Sequence, residues 1–167
     1  MIVPGSESQA LGAALAAETG GSLAAVDYER FPDGELMASV DVPAGVDRAV
    51  VVAATTTDAA HVELLQLQDA VREAGVDEVV TVLPYMGYGR QERAFEPGQP
   101  VSARAVARAV STGTDRVVLV DPHEASVHEF FDAPCTVVNA AARLATPLPD
   151  LTDPLFLSPD AGAIGLA

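Results

Sequence analysis

Apolar positions along the chain follow two patterns: short continuous runs and a stripe at helical spacing. The runs extend from Ala49 to Ala54, from Val79 to Leu83 and from Val117 to Val120. Such runs are typical of strands buried on both faces. The stripe lies between the first two runs and consists of Ala60, Leu64, Leu67, Val71 and Ala74. This alternation predicts an α/β fold with a mostly parallel sheet flanked by helices on both faces.

Shorter signals predict the remaining elements. These are a strand opening at residues 2–3, a helix over 7–19, strands over 23–29 and 36–42, a helix over 102–110 and a short strand over 136–138. Ser6 and Ser102 stand where helix N-caps are favoured, and Thr55–Asp58 offers a cap for the helical stripe.

The end of the chain has the pattern of a domain boundary. Residues 145–154 hold three prolines and show little periodicity, which is typical of a linker. We therefore predict a first domain over residues 1–144 and a linker over 145–154. Residues 155–167 would be the first strand and loop of a second, incomplete domain.

Composition excludes several classes of protein. With 49% hydrophobic residues, the chain can build a core. A formal charge of −15, with no lysine, argues against a nucleic-acid-binding face. The apolar runs are far shorter than the roughly 20 residues of a membrane helix, and we expect no signal peptide. Cys135, the single cysteine, is expected in the core and cannot form an internal disulfide. We therefore predict a cytoplasmic location.

The densest candidate chemistry directly follows the run that ends at Leu83. The segment reads Pro-Tyr-Met-Gly-Tyr-Gly-Arg-Gln-Glu-Arg and ends at Arg93. Arginine forks suit phosphate, tyrosine faces suit a flat base, and glycine lets backbone approach a ligand. As an isolated cluster it is equally compatible with a solvated loop. Its place after a buried strand favours a nucleotide site, because ligands bind at the carboxyl ends of parallel strands.

Three further segments are ambiguous when each is considered alone. Residues 31–35, Phe-Pro-Asp-Gly-Glu, are typical of a turn between strands. His123 follows Asp121-Pro122 at the end of a buried strand, where a metal-binding role competes with an ordinary surface role. Residues 158–162, Ser-Pro-Asp-Ala-Gly, fit a helix-capping turn.

Taken in order, the four segments resemble those of the ribose-phosphate pyrophosphokinases, also called phosphoribosyl pyrophosphate synthetases. The likeness runs from Val3 to the last residue. It implies a phosphoribosyltransferase-like domain, cut off before the second domain of that kind is complete. Such enzymes transfer the diphosphoryl group of Mg-ATP to C1 of ribose 5-phosphate. The products are phosphoribosyl pyrophosphate, used in nucleotide biosynthesis, and AMP.

The resemblance assigns an ATP-binding role to several residues. Arg90 and Gln91 would contact ATP, and Arg93 would contact a phosphate or a neighbouring subunit. The ring of Phe31 would stack on adenine in the active site of a neighbouring subunit. Asp33 and Glu35 would bond the base or the ribose there. These assignments imply a homo-oligomer with shared active sites.

The resemblance also assigns the magnesium side of the site. His123 would help to hold Mg²⁺ with ATP, oriented by Asp121, and Asp160 would bind Mg²⁺ near ribose 5-phosphate. Two positions depart from the usual family pattern: Glu92 replaces an aspartate, and Ala163 replaces a second glycine. The remaining expectations concern residues outside the motifs: Phe130 and Phe131 as core or interface anchors, and His61 and His128 as ordinary helix-surface residues.

Two interpretations of the activity remain open. In the family, the catalytic loop with its lysine and arginine lies beyond the position of Ala167, and this chain contains no lysine. We therefore expect the ATP-side half of an enzyme, as a shortened protein or part of a longer one, without turnover alone. The alternative is a non-catalytic regulatory or assembly module of the same family. A phosphoribosyltransferase is disfavoured, because its acidic Thr-Gly-Gly-Thr-like loop is absent.

The charge predicts adaptation to high salt, as in a halophilic archaeon. Twenty-four acidic residues are scattered along the sequence, and salt screens their repulsion. We expect the melting temperature to rise between low and molar salt, as measured by a thermal melt followed by circular dichroism. A melting temperature that does not rise would contradict this origin of the charge.

Overall fold

The computed structural model of the protein describes residues 1–147 and the single residues 149, 153, 155 and 157. Seven strands and three α-helices lie within this part of the chain. The strands are β1 (Ile2–Pro4), β2 (Val26–Arg30), β3 (Leu36–Val40), β4 (Arg48–Val52), β5 (Glu78–Leu83), β6 (Arg116–Val120) and β7 (Cys135–Val138). The helices are α1 (Gln9–Thr19), α2 (Asp58–Glu73) and α3 (Ser102–Ser111). Short 3-10 helices cover Ser6–Ser8, Ala125–Phe130 and Ala141–Ala145.

Five strands form one parallel sheet in the order β1-β4-β5-β6-β7. In register, Val51 of β4 lies opposite Thr81 of β5, which lies opposite Val117 of β6. Strands β2 and β3 form a separate antiparallel hairpin. The predicted α/β fold with a mostly parallel sheet is therefore confirmed.

Helices cover both faces of the sheet, but not equally. Helices α2 and α3 pack on one face, where Val51, Val79 and Leu119 are fully buried. On the other face, Ala16 of α1 packs with Ile2 and Val52. Farther from α1, alternate residues of β5 and β6 are only half-buried in the described part of the chain. The apolar runs are thus completely buried on one face only, which corrects the expectation for these strands.

The predicted stripe of α2 forms its buried face, with one exception. Ala60, Leu64, Leu67 and Val71 are buried, whereas Ala74 is exposed at the C-cap. None of the helices described by the structure is both long and apolar enough to cross a membrane. The predicted linker and second-domain segment fall mostly outside the described residues.

The predictions of Ser6 and Ser102 as helix N-caps are wrong, because each serine lies inside a helical segment and not at the N-cap of its predicted helix. Ser6 lies in a 3-10 helix, where its N–H donates to Oε1 of Glu63 at 2.6 Å, and α1 begins only at Gln9. Ser102 is already inside α3, and its hydroxyl donates to Oε1 of Gln91 at 2.7 Å. The cap of α2 is confirmed, since Oγ1 of Thr57 accepts the N–H of Ala60 at 3.1 Å.

The β2–β3 hairpin packs on α2 and is hydrogen-bonded to that helix by one amide side chain. Oε1 of Gln66 accepts the N–H of Ala38 at 2.8 Å, and its Nε2 donates to the carbonyl of Leu36 at 2.7 Å. Gln66 thereby serves β3 much as a neighbouring strand would. The hairpin strands are shorter than predicted, and Leu23 forms only an isolated bridge with Ile2.

A carboxylate ties the start of β5 to α2 at the amino edge of the sheet. Oδ2 of Asp115 accepts the N–H of Val79 at 2.7 Å and also binds the guanidinium of Arg72. Arg72 in turn donates to the carbonyl of Asp77 at 2.6 Å. The hydrogen bond from Val79, followed by that from Arg72, lowers the pKa of Asp115.

We predict that Asp115→Asn lowers the free energy of unfolding by about 1 kcal/mol at pH 7, a value reduced for the exposure of the carboxylate. A lowered pKa means that the carboxylate stabilises the fold above the unfolded-state pKa and loses this effect as the pH falls through the folded-state pKa. The difference from wild type should therefore shrink as the pH falls below 3.8, the ordinary value.

Urea unfolding between pH 7 and pH 3 measures this difference. The matched control is Asp77→Asn, which changes an exposed carboxylate in the same region without removing the bonds to Val79 and Arg72. Equal unfolding free energies for the two variants at pH 7 would contradict the prediction.

Candidate functional site

A cleft of about 150 Å³ lies at the carboxyl ends of β5 and β6. Its lining comes from the loops that follow these two strands and from the next 3-10 helix: Tyr85, Met86, Gly89, Arg90, Asp121, Pro122, His123 and Val127. The structure thus brings together Arg90 and His123, which the sequence places 33 positions apart. Their meeting follows from the parallel pairing of the strands that precede them.

The loop after β5 is fixed to the loop after β4 by Thr55, which is buried. The N–H of Thr55 donates to the carbonyl of Tyr85 at 3.0 Å, and Oγ1 of Thr55 accepts the N–H of Gly87 at 2.9 Å. A Cβ on Gly87 would lie 2.2 Å from the carbonyl oxygen of Thr55. Glycine is therefore required at position 87 because two backbone segments approach closely.

Two residues other than glycine adopt positive φ beside the cleft. Tyr88 has φ 61° and Asp121 has φ 39°. This left-handed region is unfavourable for side chains with a Cβ, so surrounding contacts must hold it. For Asp121, Oδ2 accepts the N–H of Ala140 at 3.0 Å, from the chain after β7. This bond, and not one to His123, orients the Asp121 carboxylate, which corrects the expected pairing.

The other residues of the Arg-Gln-Glu-Arg segment, Gln91 to Arg93, make contacts away from the cleft. Oε1 of Gln91 accepts the hydroxyl of Ser102, and the carbonyl of Gln91 accepts the N–H of Ala103 at 3.2 Å. Nε of Arg93 lies 3.4 Å from Oε1 of Glu92, and its guanidinium lies 5.0 Å from the ring centre of Phe95. In the described chain, Gln91 and Arg93 therefore do not line the cleft with Arg90.

The predicted adenine-binding residues lie at the tip of the β2–β3 hairpin. The N–H of Phe31 donates to the carbonyl of Glu35 at 2.9 Å, and Oδ1 of Asp33 accepts the N–H of Glu35 at 3.1 Å. The Phe31 ring is exposed, and none of the three side chains lines the cleft in the part of the chain that the structure describes. Asp160 and Ala163 lie outside the described residues.

The contacts behind the loop, which involve Tyr88, Asp58 and His61, were not predicted from the sequence. The Tyr88 hydroxyl donates to Oδ1 of Asp58, which raises the pKa of Tyr88. The rings of His61 and Tyr88 have centroids 5.3 Å apart at 47°. Nε2 of His61 is buried without a hydrogen-bond partner among the described residues, and burial lowers the pKa of His61. His61 is therefore not an ordinary surface residue.

The expectation that Phe130 and Phe131 are core residues is confirmed, since Phe131 is buried in the core and Phe130 packs against it. Cys135, expected in the core, is half-buried and packs against it, and this burial raises its pKa to about 11. His128 lies in a short 3-10 helix, with Nδ1 2.5 Å from the carbonyl oxygen of Ala125.

The cleft supplies few protein ligands for a cation. In the described chain, no three His, Cys, Asp or Glu side chains group to hold a metal ion. Asp121 and His123 offer one carboxylate and one imidazole to the cleft. This set fits Mg²⁺ held mainly by nucleotide phosphates and by its own waters, since this ion prefers oxygen ligands and dehydrates reluctantly.

Fold and cleft together define an α/β protein with an arginine-bearing site at the carboxyl edge of a parallel sheet. Residues 1–113 match the family described as the N-terminal domain of ribose phosphate pyrophosphokinase. The chain belongs to this family.

Individual relatives agree with this assignment. The chain is 62% identical, over its full length, to a ribose-phosphate pyrophosphokinase of Halobacterium salinarum, and it covers 60% of that protein. It is 43% identical to the corresponding protein of Methanopyrus kandleri, of which it covers 59%. The chain thus spans about three fifths of the length of these curated relatives. The Halobacterium relative fits the expected halophilic origin.

A solved structure confirms the fold. The phosphoribosylpyrophosphate synthetase from Mycobacterium smegmatis superimposes with a TM-score of 0.77 at 27% identity. The match covers 87% of this chain and 50% of that one.

We predict that Gly87→Ala destabilises the protein by about 1–3 kcal/mol, because the added methyl would collide with the backbone of Thr55. Thermal and urea unfolding measure the loss. The control is Gly21→Ala, whose methyl would meet only the end of the Thr19 side chain, at 3.3 Å, and Ile2 at 3.7 Å. The same stability for both variants would show that the loop does not need this close approach.

Proposed function

We propose that the whole protein is a ribose-phosphate diphosphokinase and that this chain carries its ATP side. It would transfer the diphosphoryl group of Mg-ATP to C1 of ribose 5-phosphate, giving phosphoribosyl pyrophosphate and AMP. The observation that carries the proposal is the cleft in which Arg90 and His123 meet. Family membership and the names of the relatives support it.

Arg90 would offer an exposed guanidinium to a polyphosphate. Its side chain is exposed at the cleft, so the planar guanidinium can approach two phosphate oxygens at once. Phosphoryl transfer depends mainly on positioning and charge neutralisation, which such a fork supplies without covalent chemistry. The fixed loop at Thr55 and Gly87 holds the backbone that carries Arg90.

Magnesium would be held on the His123 side of the cleft. Bound there with the nucleotide, it would neutralise phosphate charge. His123 and Asp121 would hold the ion, directly or through water. The predicted role of Asp160, on the magnesium and ribose 5-phosphate side, completes this proposal.

We infer that the site is shared between subunits of a homo-oligomer. The exposed Phe31 ring, with Asp33 and Glu35 on the same turn, lies at the tip of a hairpin that packs against α2. Because this tip does not line the cleft of its own chain, it is available to the cleft of a neighbour. Arg93, turned towards Phe95, would serve a subunit contact more readily than a phosphate contact.

The remaining parts of the proposal concern organisation and location. Residues 1–144 would form the ATP-side domain, followed by a linker over 145–154 and the start of a second domain over 155–167. A cytoplasmic location suits an enzyme that uses ATP. The 167 residues contain no lysine, so we expect them to bind the nucleotide without converting it.

We predict that the purified chain binds Mg-ATP and that Arg90→Ala weakens binding at least about 10-fold, as expected for loss of a charge-assisted fork. Isothermal titration at low and molar salt measures the affinity. The matched control is Arg108→Ala, which removes an exposed arginine of α3 outside the cleft and should leave binding unchanged.

Two results would contradict parts of this proposal. If a folded wild-type chain does not bind at either salt concentration, the cleft alone is not a nucleotide site, and the assembly-module alternative gains support. AMP formed from ATP and ribose 5-phosphate by these residues would overturn the expected lack of turnover.

A further inference from the structure

Tyr88 holds the turn that carries Arg90, although Tyr88 itself does not line the cleft. Tyr88 has φ 61°, and its carbonyl accepts the N–H of Gln91 at 3.2 Å, which closes the turn around Arg90. Rotation of the backbone at Tyr88 would redirect the next residues, including Arg90. The conformation of Tyr88 therefore sets the direction in which the Arg90 side chain leaves the loop.

Burial does not hold Tyr88 in this conformation. Half of the side chain is exposed, so the contacts that favour its left-handed backbone are few. Two of them are the hydrogen bond from its hydroxyl to Oδ1 of Asp58, at the first turn of α2, and the packing of its ring against His61. The Asp58 carboxylate is a charged acceptor, so this bond is stronger than one between neutral groups.

The His61 ring packs against the Tyr88 ring and also lies against the backbone of the loop at Gly87. A Cβ on Gly87 would lie 2.7 Å from Nε2 of His61, so the imidazole fills the space directly behind Gly87. Tyr88, Asp58 and His61 also line one small hollow of about 180 Å³ between α2 and α3, on a different set of residues from the cleft. The three side chains therefore contact the loop outside the cleft that Arg90 lines.

We propose that Tyr88, Asp58 and His61 are positioning residues, and that the Tyr88–Asp58 hydrogen bond is a latch that holds Arg90 in the nucleotide-binding orientation. This inference rests on the proposed function for the role of Arg90. The latch itself rests on geometry that needs no ligand. It connects α2, which also carries the hairpin, to the loop that binds phosphate.

The latch makes a specific prediction for nucleotide affinity. Tyr88→Phe keeps the ring on His61 but removes the hydroxyl, and Asp58→Ala removes the acceptor. Each should weaken Mg-ATP binding about 5-fold to 10-fold. Asp58→Asn keeps an amide oxygen that can accept the same bond but removes the charge, so its loss should be intermediate, about 2-fold to 3-fold. The double variant Tyr88→Phe/Asp58→Ala should bind no more weakly than either single variant, because both remove one interaction.

Isothermal titration of the four variants and wild type tests this pattern. Asp69→Ala, an exposed aspartate farther along α2, is the control for removing a charge from this helix. Thermal melting establishes that each variant is folded. Wild-type affinity in Tyr88→Phe, additive losses in the double variant, or an Asp58→Asn loss equal to that of Asp58→Ala would each overturn the latch.

Amide hydrogen exchange, measured by NMR without nucleotide, separates this inference from the proposed function. The N–H groups of Gly87 and Gln91 should be protected in wild type. Tyr88→Phe should reduce protection of Gln91 while leaving that of Gly87, which is bonded to Thr55. Unchanged protection of Gln91 would overturn the latch even if ATP binds. Reduced protection in a protein whose wild type binds no ATP would contradict nucleotide binding by this cleft alone and leave the latch as a device that orders the loop.

Discussion

Parallel pairing of β4, β5 and β6 is the constraint on which the rest of the structure depends. Strands that run in the same direction end at the same edge, so the loops after β4, β5 and β6 meet there. Thr55, Arg90 and His123 come from these three loops. If one of the strands ran the other way, its loop would lie at the opposite edge and the cleft could not form.

The sequence was sufficient for the features that depend on local patterns. Apolar runs predicted the sheet strands, and the residues just after two of them, Arg90 and His123, were correctly placed at one edge. This inference needed only the position of each motif relative to a strand and the rule that parallel strands end together. The turn at Phe31 was also predictable, because proline and glycine favour a tight connection.

Several features that could not be predicted depend on partners that only the folded chain brings together. Serine is favoured at helix N-caps, which is why Ser102 was predicted to be one. In the structure, its hydroxyl donates instead to Oε1 of Gln91, which the loop brings near. His61 looked like a surface residue of α2 because no periodic signal shows that a glycine turn will pack on it. The hydrogen bond between Tyr88 and Asp58 forms only when α2 and the loop after β5 are packed together. Such contacts are set by tertiary packing, which overrides local preference.

The attachment of the hairpin through Gln66 has a consequence for the order of folding. Strands β2 and β3 are adjacent in the chain and can pair early, whereas Ile2 of β1 must wait for Val50 of β4. An isolated two-stranded hairpin is only marginally stable in water, so it gains lasting structure when α2 presents the Gln66 amide. We therefore expect the tip with Phe31 to be completed late. In the proposed homo-oligomer, a subunit would therefore have to fold before it could offer this tip to a neighbour, and association would follow folding instead of guiding it.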